Sequence, residues 1–240
     1  MTQLSSITPK PDHVPPDRVF DFDFYHPETL DEDIHVAWKR LHSLAPDVFW
    51  TPRNGGHWIA TRAADIRRLQ LESNNFSHKG LIIPYDPNML PHPPTTTDPP
   101  EHAQYRALIL PAFTPRAIAS LEGRARAIAI DTIERLHPRG ECEFIDEFAK
   151  VLPITVFLEM VDLPFSDRDR LLPLAAAATR SQTTAGRHAA SIAMAEYLTP
   201  FMRQRLETPG KDLISHVVNA TLFGRPIAFE EALMALVNLL

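Results

Sequence analysis

Cysteine is nearly absent: the 240 residues contain one, Cys142. A single thiol excludes an internal disulfide framework and fits a reducing, cytoplasmic compartment. No run of about 18 apolar residues occurs, so no segment reads as a membrane-spanning helix. The opening MTQLSSITPKPDHVPPDRVF has no apolar stretch of the kind a signal peptide needs. Basic residues are in deficit, with 24 Lys and Arg against 30 Asp and Glu and a formal net charge of −6. That balance offers nothing to nucleic acid or to an anionic membrane. Glycine is scarce at 8 residues. Neither the G-x-S-x-G elbow of hydrolases nor the glycine loops G-x-G-x-x-G and G-x-x-x-x-G-K of nucleotide sites occur, and H-E-x-x-H is missing too.

Proline is abundant instead, at 23 residues, and the chain is 44% hydrophobic. That suffices to bury a real core. Residues 1–18 read as an extended arm. DEDIHVAWKRLHSL (31–44) reads as an amphipathic helix with Ile34, Trp38 and Leu41 on one face. DVFWT and HWIAT, joined by PRNGG, read as a hairpin, and RAADIRRLQLES (62–73) as a further helix. After Thr114 the pattern is mostly helical. Thr114 with Pro115 forms a start signal, and the apolar stripe runs through Ile118, Leu121, Ala125, Ile128 and Leu136. CEFI (142–145) reads as a short strand, with Cys142 buried at its start. Pro153 predicts a kink or two helices within 146–161. SDRD (166–169) predicts a helix cap, a helix spans about 188–207, and Asp212 starts another.

From Asn74 to Thr97 periodicity vanishes. The segment carries Leu81, Ile82, Ile83, Tyr85, Met89 and Leu90 among five prolines. Such a loop either folds onto the core or covers a ligand. HPETLDEDIH offers His26, Glu28, Asp31, Glu32, Asp33 and His35, a pattern that suits a solvated acidic helix start better than a metal site. His57 and Trp58 read as strand-packing residues.

DPPEHAQYRALILPAF raises the sharpest question. Asp98 followed by Pro99 and Glu101 predicts a capped helix starting at Asp98. His102 and Arg106 then lie one turn apart on one face, with Ile109 and Phe113 continuing it. Two potential cations so placed suit a carboxylate attached to an apolar body. The spacing alone favours a solvated His/Arg face with Glu101 as partner.

That segment resembles the C helix of the bacterial soluble cytochrome P-450 monooxygenases. VPPDRVFDFDFY, GGHWIATR, RGECEFIDEFAKVLPITVFLEMVDLP and GRPIAFEEALMALVNLL follow in the order expected of the camphor-hydroxylase branch. The resemblance covers about Val14 to Leu240. It implies a mainly α cytochrome P-450 fold with a small β-sheet near the N-terminus, residues 1–240 being the N-terminal part of a single domain. It implies a haem monooxygenase that uses O2 and electrons from a ferredoxin-type partner to hydroxylate a small apolar, terpenoid-like substrate. The cofactor would be heme b, with His102 and Arg106 on a propionate. Ile82, Ile83, Tyr85, Thr95 and Thr179 would face substrate, and Arg106 would lie near the ferredoxin's docking site.

The family's iron ligand lies in F-x-x-G-x-H-x-C-x-G. Around Cys142 the corresponding positions hold Arg135, Pro138, Gly140 and Phe144, so Cys142 is not that ligand. No Glu has Arg three positions later, so the family's Glu-x-x-Arg is missing as well. Residues 232–240 are apolar all round a helix apart from Asn238, with no C-cap signal. The expectation is a chain cut within the central helix, with no catalytic residue or metal ligand of its own, inactive and poorly soluble alone. The competing expectation is a non-catalytic helical fragment or module that binds an acidic ligand or partner at His102 and Arg106.

Overall fold

The computed structural model describes residues 7–26, 33–80, 82–87, 89–181 and 183–239. Glu28, Asp31, Glu32, Leu81 and Leu240 lie outside them. The chain divides into two units, residues 1–88 and 89–240. It is mainly α, with a small antiparallel sheet near its N-terminus.

In the first unit, helix α1 (Ile34–Leu44) begins where the Asp33 carboxylate accepts the N–H groups of His35 and Val36. Strands β1 (Val48–Thr51) and β2 (His57–Ala60) pair antiparallel with Trp50 opposite Trp58, and helix α2 (Ala63–Leu71) follows. The N-terminal arm runs beside β1. Phe20 donates its N–H to the Trp50 carbonyl at 3.0 Å, and the buried Thr51 hydroxyl donates to the Phe22 carbonyl at 2.7 Å. Phe20, Phe22, Trp38 and Phe49 meet edge to face or tilted beneath it.

The hairpin turn needs positive φ at Asn54, Gly55 and Gly56. A Cβ on Gly56 would sit 2.7 Å from Cζ2 of the buried Trp50. Gly56→Ala is therefore expected to cost about 2 kcal/mol, from backbone conformation and overpacking together. Trp38, Trp50 and Trp58 are all the tryptophans of the chain, and all lie in this unit. Urea titration followed by tryptophan fluorescence reads the change directly. An unchanged midpoint would mean that the turn relaxes around the methyl group.

The second unit begins with a loop and helix α3 (Glu101–Ile109), then a 3-10 turn (Leu110–Phe113) and helix α4 (Pro115–Leu136). The Thr114 hydroxyl accepts the Ala117 N–H, as the Thr-Pro signal predicts. Ile128 in the apolar stripe is buried, but Ile118 is exposed. CEFI is not a strand. A π-helical turn (Ile145–Ala149) leads into helix α5 (Val151–Met160), so Pro153 sits in the first turn of a second helical piece. Cys142 is exposed rather than buried. Asp146 pairs with Lys150 one turn on, and Glu147 pairs with Arg139 of the preceding turn.

Helices α6 (Arg168–Arg180) and α7 (Thr184–Glu207) pack together. SDRD does not cap α6. The Asp167 carboxylate instead accepts the buried Tyr197 hydroxyl at 2.9 Å. Burial and that carboxylate push the Tyr197 phenol well above its usual range. Helix α7 begins four residues earlier than the periodicity implies, because the Thr183 hydroxyl accepts the Gly186 N–H. Helix α8 (Leu213–Val218) is capped by Asp212. The two-residue strands β3 (Thr221–Leu222) and β4 (Arg225–Pro226) form a hairpin before helix α9 (Phe229–Val237). Leu158, Leu171, Leu198, Met202, Ile214 and Leu236 are fully buried where α5 to α9 meet. Among the described residues no helix is long and apolar enough to cross a membrane.

Candidate functional site

Helix α3 carries the candidate pair. It does not start at Asp98. Pro99 and Pro100 form a turn with a cis peptide between them, and the first helical residue is Glu101. The Asp98 backbone carbonyl, rather than a side-chain cap, accepts the His102 N–H at 3.0 Å. The one-turn spacing of His102 and Arg106 survives this correction. At about 100° per residue the two side chains point about 40° apart, and the Tyr105/Leu108 face lies about 110° round the helix. Tyr105 and Leu108 are buried, His102 is half-buried and Arg106 is exposed.

Neither the His102 nor the Arg106 side chain makes a hydrogen bond or ion pair with another described residue, Glu101 included. A half-buried imidazole and a guanidinium with no side-chain partner among the described residues have the chemistry to donate to a carboxylate.

The loop before α3 is more ordered than its composition suggests. Thr96 is buried. Its hydroxyl accepts the His92 N–H at 2.7 Å, and its own N–H returns to the His92 carbonyl at 2.9 Å. Burial holds the His92 imidazole below its usual pKa. Thr97 donates to the Pro94 carbonyl at 2.7 Å. Thr95 is exposed, and its hydroxyl accepts from the Asn238 amide at 3.1 Å. Asn238, at the end of α9, is a residue that sequence reasoning missed as a partner for this loop.

The other expected substrate residues are divided between the two units. Ile82 and Ile83 are half-buried and Tyr85 is exposed, all in the first unit. The Ile83 carbonyl accepts the Tyr25 hydroxyl at 2.5 Å. Thr179 is exposed on α6, and its hydroxyl donates back to the Ala175 carbonyl at 2.9 Å. Among the described residues no group of three His, Cys, Asp or Glu could hold a metal ion. His57 is strand-borne as expected. Its ring nitrogens are buried, and burial lowers its pKa. Cys142 lines an apolar cleft of about 320 Å³ with Ile133, Leu136, Phe144 and Phe148.

No protein-family profile matches the chain. Curated relatives and solved structures do. Cytochrome P-450 107B1 of Saccharopolyspora erythraea is 30% identical over 223 residues, covering 87% of this chain and 55% of that protein. A probable cytochrome P-450, 127A1 of Sinorhizobium fredii, is 30% identical over 235 residues, covering 93% and 56%. The crystal structure of CYP101J2 matches with a TM-score of 0.84 at 34% identity, over 97% of this chain and 58% of that one. The chain belongs to the cytochrome P-450 family. It spans little more than half the length of these relatives.

Membership in the P-450 family implies haem, and the residues present can be tested against that group. The donor chemistry of His102 and Arg106 fits a haem propionate: neither side chain has a partner among the described residues, and the two share one face. Cys142 fits no part of haem ligation. It is exposed, in a stretch between Gly140 and the π-helical turn, and lacks the family's flanking residues.

Proposed function

We propose that the protein is a haem monooxygenase that hydroxylates a small apolar substrate of terpenoid type, with O2 and with electrons from a ferredoxin-type partner. The observation that carries this reading is the His102/Arg106 pair on one turn of α3, whose side chains bond no other described residue. Haem, when bound, would supply oxygen activation. His102 and Arg106 would hold a propionate by charge-assisted hydrogen bonds and so orient the ring. Ile82, Ile83 and Tyr85 would give apolar cover over the substrate. Thr95, kept in place by Asn238, would add a hydroxyl beside it, and Thr179 would face the substrate from α6. The exposed Arg106 would also lend positive charge to the docking of an acidic ferredoxin.

The deciding experiment is anaerobic reduction under carbon monoxide. Protein extended to the full length of its relatives is expected to take up haem and give a thiolate-type Soret band. Cys142→Ser is expected to leave that band unchanged. Failure of the full-length protein to take up haem would overturn the function and favour a module for another acidic ligand. A thiolate band from the 240-residue chain alone, or its loss in Cys142→Ser, would instead make Cys142 the ligand.

A further inference from the structure

The side of α3 turned away from its cation pair is held by four contacts. The Tyr105 hydroxyl donates to Glu231 at 3.4 Å, and its ring meets Phe223 edge-on at 5.6 Å. Gln104 accepts the Phe223 N–H at 3.0 Å. The Leu108 carbonyl lies 3.0 Å from His216 Nε2. A carbonyl can only accept, so His216 carries its proton on that nitrogen.

Glu231 is itself immobilised. Arg225 donates to both of its carboxylate oxygens, at 2.8 and 2.7 Å, and the Ala228 N–H donates at 2.9 Å. Glu231 thus supplies half of a capping box at the start of α9, while Ala228 has no side-chain oxygen for the other half. Arg225 first, then the Ala228 N–H and Tyr105, bring its pKa down to about 2 against the cost of burial. It is a fixed anion, not a mobile surface carboxylate.

Seven residues along α9, Asn238 bonds Thr95. At 1.5 Å per residue the two attachment points lie about 10 Å apart. The segment from Thr95 to Tyr105 is therefore bracketed by two bonds to one helix. That segment contains His102 and leads directly into Arg106.

We propose that Glu231 is a positioning residue: through Tyr105 it sets the rotation of α3 about its axis, and so the aim of His102 and Arg106. The inference rests on the haem reading of that pair. The lever is short but sufficient. A charged group about 6 Å from a helix axis moves about 1 Å for a 10° rotation, twice the tolerance of a precisely built site.

The test compares variants of the full-length, haem-loaded protein. Haem transfer to excess apomyoglobin is measured, along with the ferric–ferrous midpoint potential and the unfolding temperature of the apoprotein. Tyr105→Phe keeps the ring against Phe223 and removes only the hydroxyl. It is expected to speed haem loss about fivefold and to shift the potential, with the apoprotein's unfolding temperature unchanged. Glu231→Gln is expected to do the same, and the double variant no more than the larger single effect. Unchanged haem loss in Tyr105→Phe would overturn the proposal even if Glu231→Gln fails to fold. So would haem loss that merely follows a fall in unfolding temperature. Replacing His102 and Arg106 together separates the two readings. If that replacement speeds haem loss and Tyr105→Phe does not, the positioning role alone is wrong. If neither does, the haem reading of the pair is wrong as well.

Discussion

Replacing His102 and Arg106 together by alanine is expected to accelerate haem loss from the full-length protein by about a hundredfold. The apoprotein should be as stable as before. The first expectation follows from the donor set. A hydrogen bond to an ionised acceptor contributes about 1.5–3 kcal/mol, and two such bonds to one carboxylate are not additive, so about 3 kcal/mol is a fair total. The second follows from what the pair does not do. Neither side chain bonds another described residue, and the core-facing side of α3 is made by Tyr105 and Leu108. Truncation thus removes no bond to a described residue. Arg106→Lys should lie between, about tenfold, because a point charge replaces a planar fork. Haem transfer to apomyoglobin and calorimetry of the apoprotein give both quantities. Unchanged transfer would remove the pair from the haem site. A parallel drop in unfolding temperature would make the pair structural.

Much of this arrangement is legible in the sequence, for local reasons. Asp33, Thr114 and Asp212 cap the helices that follow them because an oxygen beside a helix start has free N–H groups within reach. The Asn-Gly-Gly run makes a hairpin because its residues adopt positive φ. Local logic misleads where two signals share residues. DPPE has the composition of a cap, but its two prolines form a turn and the helix waits for Glu101. CEFI is apolar enough for a strand, yet Asp146 and Lys150, four apart, were the available sign of helical winding. The bonds that matter most for the site were not readable. Tyr105 and Glu231 are 126 residues apart, Thr95 and Asn238 are 143 apart, and no periodicity connects such pairs. The resemblance to a family located the C helix, but it did not show what holds that helix.

Arg205→Ala is expected to destabilise the second unit by about 3 kcal/mol at neutral pH. Arg205 sits in the last turn of α7 and donates through Nε to Asp212 at 2.9 Å, and through Nη2 to the Asp162 carbonyl at 3.3 Å. Asn219 donates to its backbone carbonyl at 3.2 Å. One residue therefore joins the end of α5, the end of α7 and both ends of α8. The Asp212 side chain is only 4% exposed, and that of Arg205 is 14% exposed. Removing the cation leaves a buried carboxylate with the Ser215 N–H and hydroxyl as its remaining donors. The pH dependence carries the diagnosis. Burial alone would raise the Asp212 pKa, but Ser215 and Arg205 together bring it below the ordinary carboxylate value. A depressed pKa contributes stability that is complete above the unfolded value and is lost as pH falls through the folded one. Without Arg205 the depression shrinks. The gap in stability between the wild type and Arg205→Ala should therefore be widest near neutral pH and close as acid protonates Asp212 in both. Asp212→Asn should recover part of the loss in the Arg205→Ala background, since an amide needs no counter-ion. Urea titrations of the four proteins of this cycle from pH 7 to below pH 4, followed by helical circular dichroism, measure each term. A gap that stays constant with pH would assign the loss to the packing of the arginine stem instead of its charge.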